Sequence, residues 1–258
     1  MAVETAGTRG AARVETFEAL GSTNEEALAR ARRGERGPLW IRALRQTSGR
    51  GRRGRLWVSE PGNLYATLLL ADPCPAERAA ELSFVAALAV HDAIVDVAAP
   101  LGPRLRLKWP NDVLIDGAKV AGILVEGENI DGTLTVVIGG GVNCASHPDE
   151  TSYPAADLAA AGAAVTAERL FSELARTMTA RLAQWNRGAG FASIREDWLR
   201  RAGGLGDDIR IVIGEREAAG RFETLDERGR LVLRYTDGRT EVLAAGDVFP
   251  MLANERHS

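Results

Sequence analysis

Cysteine is nearly absent from this 258-residue chain, which carries Cys74 and Cys144 alone. That excludes a disulfide framework and any zinc site built on paired cysteines. Histidine is as scarce, and its three scattered copies form no metal triad. Neither sign of charge dominates, with 32 Lys+Arg against 35 Asp+Glu, so the chain is slightly acidic overall. Long apolar runs are also missing. The N-terminus carries Glu4, Arg9 and Arg13 and has no apolar core of the kind a secretory signal needs. The most apolar stretch, Leu82 to Val97, is broken by His91 and Asp92 and reads as a core helix, not a membrane span. A cytoplasmic protein without a membrane partner is expected. Its 45% hydrophobic content is enough for one large domain and a small one.

Against this background one segment stands out. Gly49 to Arg55 reads GRGRRGR, four arginines among three glycines. Glycine lets the backbone approach a ligand closely, and arginine adds a permanent charge whose planar fork grips carboxylate or phosphate oxygens. The segment therefore reads as an anion-binding loop. The alternative is a solvated Arg-Gly tract that binds RNA without sequence preference. Its apolar flanks, Pro38–Leu44 before and Leu56-Trp57-Val58 after, have the texture of strands and favour a loop held at both ends by a core. Gly49, Gly51 and Gly54 satisfy the dinucleotide fingerprint, but Pro61-Gly62 leaves no room for the helix that motif must open. The P-loop interval also fails, because Arg55-Leu56 stand where Lys and Ser/Thr are required.

Elsewhere the pattern alternates between hairpins and blocks of helix. Ser22 with Glu25 and Thr23 with Glu26 form overlapping capping boxes, predicting a helix to about Arg33. Strands are expected over Arg13–Ala19, Pro38–Gln46, Asn63–Leu70, Leu105–Lys108 and Thr133–Ile138, the last closed by Gly139-Gly140-Gly141. A hairpin is expected about Asp116-Gly117, joining Val113–Ile115 to Lys119–Glu126. Helices are expected over Ala76–Ala98, Thr166–Trp185 and Phe191–Arg201. From Gly206 short alternating strands predict a small β-barrel, with Gly203–Gly206 as linker. The fold class is α+β with a mixed or mostly antiparallel sheet. The expected divisions are a disordered segment 1–12, a main domain 13–203 and a barrel 206–252.

Four more segments place polar groups at strand ends, where a sheet can aim them into one cleft. They are Gln46, Asn111-Asp112 after a Trp-Pro corner, Lys119 at the head of an apolar strand, and Asn143 after three glycines. Each has an ordinary structural reading alone: a turn, backbone geometry, an edge-strand lysine. Their combination is what suggests a site.

Taken together, these segments resemble the biotin protein ligases. The resemblance rests on Ser22-Thr23-Asn24, Gln46 through Trp57, Pro61–Tyr65, Lys108–Asp112, Lys119–Glu126 and Gly139–Asn143, all in the family's order. It implies a catalytic domain related to the class II aminoacyl-tRNA synthetases, followed by an SH3-like barrel. It also implies a reaction. Biotin's carboxylate attacks the α-phosphorus of ATP to give biotinyl-5′-AMP and pyrophosphate, and a carrier lysine then takes the biotinyl group. Bringing an anion to a polyanion costs about 4 kcal/mol per unit-charge pair at 4 Å and an effective dielectric of 20, so fixed cations are needed. By resemblance, Lys119 and Arg50 are the catalytic pair. Ser22, Thr23, Asn24, Gln46, Arg50, Gly51, Arg52 and Lys119 are expected to bind biotin. Arg53, Arg55, Trp57, Asn111, Asp112 and Asn143 are expected on the ATP side. Mg²⁺ is expected with ATP, and no protein metal ligands are assigned.

The resemblance has departures. Leu44 stands where an acidic residue is common, and Ser59-Glu60-Pro61 replaces a Ser-Pro-Pro-like run. Only 21 residues precede Ser22, too few for the winged helix of family members that also act as repressors, so a monofunctional enzyme that does not bind DNA is expected. The implied partner is the carrier domain of a biotin-dependent carboxylase. A homodimer formed by edge-to-edge sheet pairing, as in some relatives, is neither required nor forbidden. A lipoate ligase or octanoyltransferase of the same superfamily is the alternative activity. The arginine loop is expected to act as a lid, with Arg50 and Arg52 towards biotin and Arg53 and Arg55 towards ATP.

Overall fold

Arg13–Phe17 (β1) and the fully buried run Leu39–Ala43 (β2) pair in parallel, which demands a crossover between them. The helix Thr23–Arg32 (α1) supplies it, started by the Ser22 hydroxyl accepting from the Glu25 N–H at 3.5 Å. All other pairings in the main sheet are antiparallel. They join Leu64–Ala71 (β3), Leu105–Lys108 (β4), Asp112–Ile115 (β5), Ala118–Ile130 (β6) and Thr133–Val142 (β7). The strand order is β1-β2-β3-β7-β6-β5-β4, a mixed sheet as expected. This computed structural model describes residues 12–149, 151 and 153–250. The expected disordered segment therefore lies, but for Ala12, outside the described residues.

Side chains alternate across the sheet and separate its two faces. Trp40, Leu68, Val136 and Ile138 join the large core beneath the helices Leu82–Val97 (α2), Ala167–Trp185 (α3) and Phe191–Leu199 (α4). Leu39, Ile41, Leu69 and Val137 face the other way and pack on Ala27 and Ala31 of α1. Among the described residues, no helix is long and apolar enough to cross a membrane.

Four expectations need correction. Ala76–Glu81 is a 3₁₀ segment, and the α-helix begins only at Leu82. At that junction the buried Glu81 carboxylate accepts from Trp185 Nε1 at 2.6 Å and from Arg78 at 2.9 Å. Strand β2 ends at Ala43, short of Gln46. Leu56-Trp57-Val58 is not a strand, for it makes one isolated bridge, Arg50 to Leu56, and leaves Leu56 74% exposed. Finally, the three glycines do not close β7 but lie within it, paired with β3 and β6 on either side.

After Gly206 come Asp208–Ile213 (β8), Arg216–Leu225 (β9), Leu231–Arg234 (β10), Thr240–Leu243 (β11) and Asp247–Pro250 (β12). They form a second antiparallel sheet ordered β11-β10-β9-β8-β12. It is docked rather than tethered. Phe222, Leu225 and Leu231 belong to the same buried cluster as Phe84, Trp109 and Trp198. Trp109 Nε1 donates to the Gly229 carbonyl at 3.0 Å, and the Gly203 N–H donates to the Leu107 carbonyl at 2.8 Å.

Candidate active site

A cleft of about 860 Å³, including its open mouth, lies on the α1 face of the main sheet. Its floor is glycine. Gly139 and Gly141 of β7 face it, and neither has a positive φ, so backbone freedom is not their purpose. A Cβ on Gly139 would stand 2.2 Å from Asn24 Oδ1, and one on Gly141 would stand 2.5 Å from Trp57 Nε1. These glycines let polar and aromatic side chains lie directly on the sheet.

At one end the polar groups form a neutral network. Gln46 Oε1 accepts from the Thr23 N–H at 2.8 Å and from the Thr23 hydroxyl at 3.1 Å. Gln46 Nε2 donates to Ser59 Oγ at 3.0 Å. The Thr67 hydroxyl lies 2.8 Å from Thr23 Oγ1 and 2.7 Å from Asn24 Oδ1. Asn24 Nδ2 donates to Glu126 Oε2 at 2.8 Å and to the Leu124 carbonyl at 3.3 Å. Both Asn24 amide hydrogens are thus engaged by protein. The Ser22 hydroxyl hydrogen and the second Gln46 amide hydrogen have no hydrogen-bond acceptor among the described residues.

The other end is cationic. The arginine loop is a tight reversal in which the Gly51 N–H donates to the Arg55 carbonyl at 2.7 Å and the Trp57 N–H to the Gly49 carbonyl at 2.9 Å. Arg50 Nε lies 3.3 Å from Glu25 Oε1, and its Nη2 lies 3.6 Å from Glu126 Oε1. Arg52 donates to Asn111 Oδ1 at 3.1 Å, while Asn111 Nδ2 donates to the Ile123 carbonyl at 2.5 Å. Arg53 and Arg55 both pair with Asp247 of β12, Arg53 at 3.1 Å. Lys119 Nζ forms an ion pair with Asp112 Oδ1 at 2.7 Å and lies over the rings of Trp57 and Tyr153 at 5.3 and 5.1 Å. Lys108 Nζ lies over Tyr153 at 5.7 Å and Phe249 at 5.3 Å.

Burial shifts these charges. It pushes the Lys108 ammonium below the ordinary lysine range, with Asp112 opposing the shift. It likewise lowers Arg52, with Asp247 opposing, and a guanidinium remains charged at neutral pH even so. For Asp247 burial acts to raise the carboxyl, but its hydrogen bond from Arg55 and the nearby arginine charges outweigh that and hold it below the usual carboxylate range.

The cleft brings together Ser22, Thr23, Asn24, Gln46, Arg50, Gly51, Arg52, Arg55, Trp57, Asn111, Asp112 and Lys119 of the expected residues. Two do not line it. Arg53 points to Asp247, and Asn143 donates to the Ala156 carbonyl at 3.0 Å, fastening the segment after β7. Asn143 instead borders a neighbouring apolar pocket with Trp57, Val58, Pro148, Tyr153 and Ala155. Sequence reasoning missed Lys108, Tyr153, Asp247 and Phe249 of the lining. Lys108 had a signal, since it immediately precedes the Trp-Pro corner. The other three come from a loop and from the distant C-terminal sheet, and no local pattern marks them.

Comparison with known proteins shows the family and the fold. Residues 22–143 match the model of the biotin/lipoate A/B protein ligase family, and residues 204–250 match the biotin protein ligase C-terminal domain. The chain is 44% identical to a biotin–[acetyl-CoA-carboxylase] ligase of Paracoccus denitrificans, covering 88% of this chain and 96% of that protein. It is 36% identical to the ligase of the same name from Mycobacterium tuberculosis, over 88% and 85% of the two chains. Among solved structures, biotin protein ligase from Aquifex aeolicus in complex with biotin and ATP superposes with a TM-score of 0.76 at 24% identity, over 92% of this chain and 99% of that one. The Leishmania major enzyme in complex with biotinyl-5-AMP gives a TM-score of 0.63 at 24% identity, over 90% and 98%. At such identity these two neighbours speak to the fold alone.

Proposed function

We propose, for a chain that belongs to the biotin protein ligase family, that it activates biotin with ATP and transfers it to a lysine of a carboxylase carrier domain. The observation that carries this reading is one cleft with a neutral hydrogen-bonding end and a cationic end. A ureido ring calls for neutral donors and acceptors, whereas a carboxylate meeting a triphosphate calls for fixed positive charge. Ser22 and Gln46 keep hydrogens available for a head group, while Thr23 and Asn24 act through the network behind them. Arg50, Gly51 and Arg52 close over the acyl chain and the forming adenylate. Lys119 stabilises charge as the biotin carboxylate bonds to the α-phosphorus and pyrophosphate leaves.

Arg53, Arg55, Trp57, Asn111 and Asp112 serve the nucleotide, with Asn143 shaping the apolar pocket beside them, which is suited to a flat base. In the second step the carrier amine attacks the acyl carbonyl of the mixed anhydride, forming an amide and releasing AMP. Mg²⁺ is taken as part of the nucleotide substrate, since this ion is commonly held largely by substrate phosphates and water.

The finer description of the fold belongs to the same reading. A main domain over 13–203 of the class II synthetase type and an SH3-like barrel over 206–252 are supported by the mixed sheet and by five short antiparallel strands after Gly206. The outer strand β1 offers an edge for a second copy, whereas the edge of β4 is taken up by the bonds of Leu107 to Arg201 and Gly203. A formal charge of −3 supports a role without DNA.

Purified protein incubated with ATP, Mg²⁺ and either biotin or lipoate tests the activity. Pyrophosphate release is expected with biotin and not with lipoate. Release with lipoate alone would transfer the reading to the sister activity.

A further inference from the structure

Glu126 lies on β6 beside both ends of the cleft, and no step of the reaction described above uses it. Its strand face is that of Gly122 and Leu124, two residues of the cleft wall. One carboxylate oxygen, Oε2, takes Asn24 Nδ2 at 2.8 Å. The other, Oε1, lies 3.6 Å from Arg50 Nη2. Asn24 is buried and wedged against Gly139, and through Thr67 it adjoins Thr23 and so Gln46. Glu126 is half-buried, so its links are shielded in part from solvent. An ionised carboxylate is an acceptor only, which forces the Asn24 NH₂ towards Glu126 and its oxygen towards Thr67.

We propose that Glu126 is a positioning residue that couples the head-group end of the cleft to the arginine loop. Oε2 sets the Asn24 carboxamide and, through it, the network ending at Gln46. Oε1, together with Glu25, holds Arg50 while no anionic ligand is in the cleft. When the biotin carboxylate and the α-phosphate enter, Arg50 exchanges these carboxylates for the ligand, and Glu126 keeps Asn24. This rests on the ligase reading.

Two substitutions separate the links. In Glu126→Gln an amide oxygen still accepts from Asn24, but the charge that attracts Arg50 is gone. In Glu126→Ala both links are lost. Each variant and the wild type is assayed for biotin-dependent pyrophosphate exchange, for biotin binding by calorimetry, and for tryptic cleavage at Arg50–Arg55 with and without biotin plus ATP. Thermal melting checks that each variant is folded.

Glu126→Ala should weaken biotin, in KM and in calorimetry, by about tenfold, the scale of one buried hydrogen bond left unmade. Glu126→Gln should restore most of that loss. Both should speed cleavage of the ligand-free loop severalfold and leave the ligand-bound loop as protected as in the wild type. The proposal is overturned if the two variants weaken biotin equally, or if ligand-free cleavage matches the wild type in both. If the wild type makes no adenylate, the ligase reading falls on its own, while cleavage, which needs no turnover, still reports the Glu126–Arg50 link. If Glu126→Ala does not fold, Glu126→Gln decides alone: unchanged ligand-free cleavage overturns the proposal.

Discussion

Replacing Lys119 with alanine should lower the rate of biotinyl-adenylate formation by about 100- to 1,000-fold, the usual result of removing one preorganised charge donor from a transition state. The ammonium lies at the head of β6, 2.7 Å from Asp112 and over two aromatic rings, so little reorganisation is needed when negative charge develops. Because the pair is largely shielded, the variant also leaves Asp112 without its counter-charge, and some loss of stability is expected. The two effects can be separated. Adding Asp112→Asn to Lys119→Ala should recover melting temperature but not rate. Single-turnover adenylation and thermal melting of both variants provide the check. A Lys119→Ala enzyme with wild-type adenylation would remove the residue from the chemistry.

The second large effect is expected at the glycine floor, and it should alternate along one strand. Gly139→Ala drives a methyl towards the buried Asn24 amide, and Gly141→Ala drives one into the Trp57 ring. Overpacking of this kind costs about 1–3 kcal/mol of stability. Displacing Asn24 or Trp57 also disturbs the walls that hold the reactants, where a misplacement of about 1 Å can cost roughly 100-fold in rate. Gly140 points to the opposite face, and its nearest prospective neighbour, the Ala66 carbonyl, is 4.0 Å away. Gly140→Ala should therefore keep near wild-type adenylation and stability. Measured as kcat/KM for biotin and as melting temperature, the three variants should rank with the outer two impaired and the middle one intact. Equal effects at all three positions would show that backbone freedom, not close approach, explains the run.

Why some features were legible in the sequence and others were not follows from how local each cause is. The capping of α1 by Ser22 depends on a hydrogen bond three residues away, so the sequence pattern and the structure coincide. The Asp116-Gly117 turn is equally local, with φ of 49° and 82° at its two residues. That most of these polar residues share one cleft was also legible, because they stand near the ends of elements and within one loop. The glycine run was misread as the end of a strand, since the reason for it lies in Asn24 and Trp57, which are more than 80 residues away in the chain. The apolar flank Leu56–Val58 has strand composition, yet it finds no continuous partner and leaves Leu56 in solvent.

The C-terminal contribution was the least legible of all. Asp247 and Phe249 belong to a short edge strand with an ordinary alternating pattern. Only docking of the second sheet brings Asp247 to Arg53 and Arg55, and Phe249 to Lys108. Glu25 and Glu126 pair with Arg50, and Asp247 pairs with Arg53 and Arg55, so carboxylates of the protein itself balance three of the loop's arginines.

The most direct test of the central claim is transfer of labelled biotin to an isolated carrier domain, followed by mapping of the labelled residue. With ATP and Mg²⁺ present, label should appear on a single carrier lysine in amide linkage, with AMP released in equal amount. Omitting ATP should abolish it, and Lys119→Ala should slow it by about 100- to 1,000-fold unless pre-formed biotinyl-AMP is supplied. Label that reaches the carrier without ATP, or none with pre-formed adenylate and wild-type protein, would contradict the account.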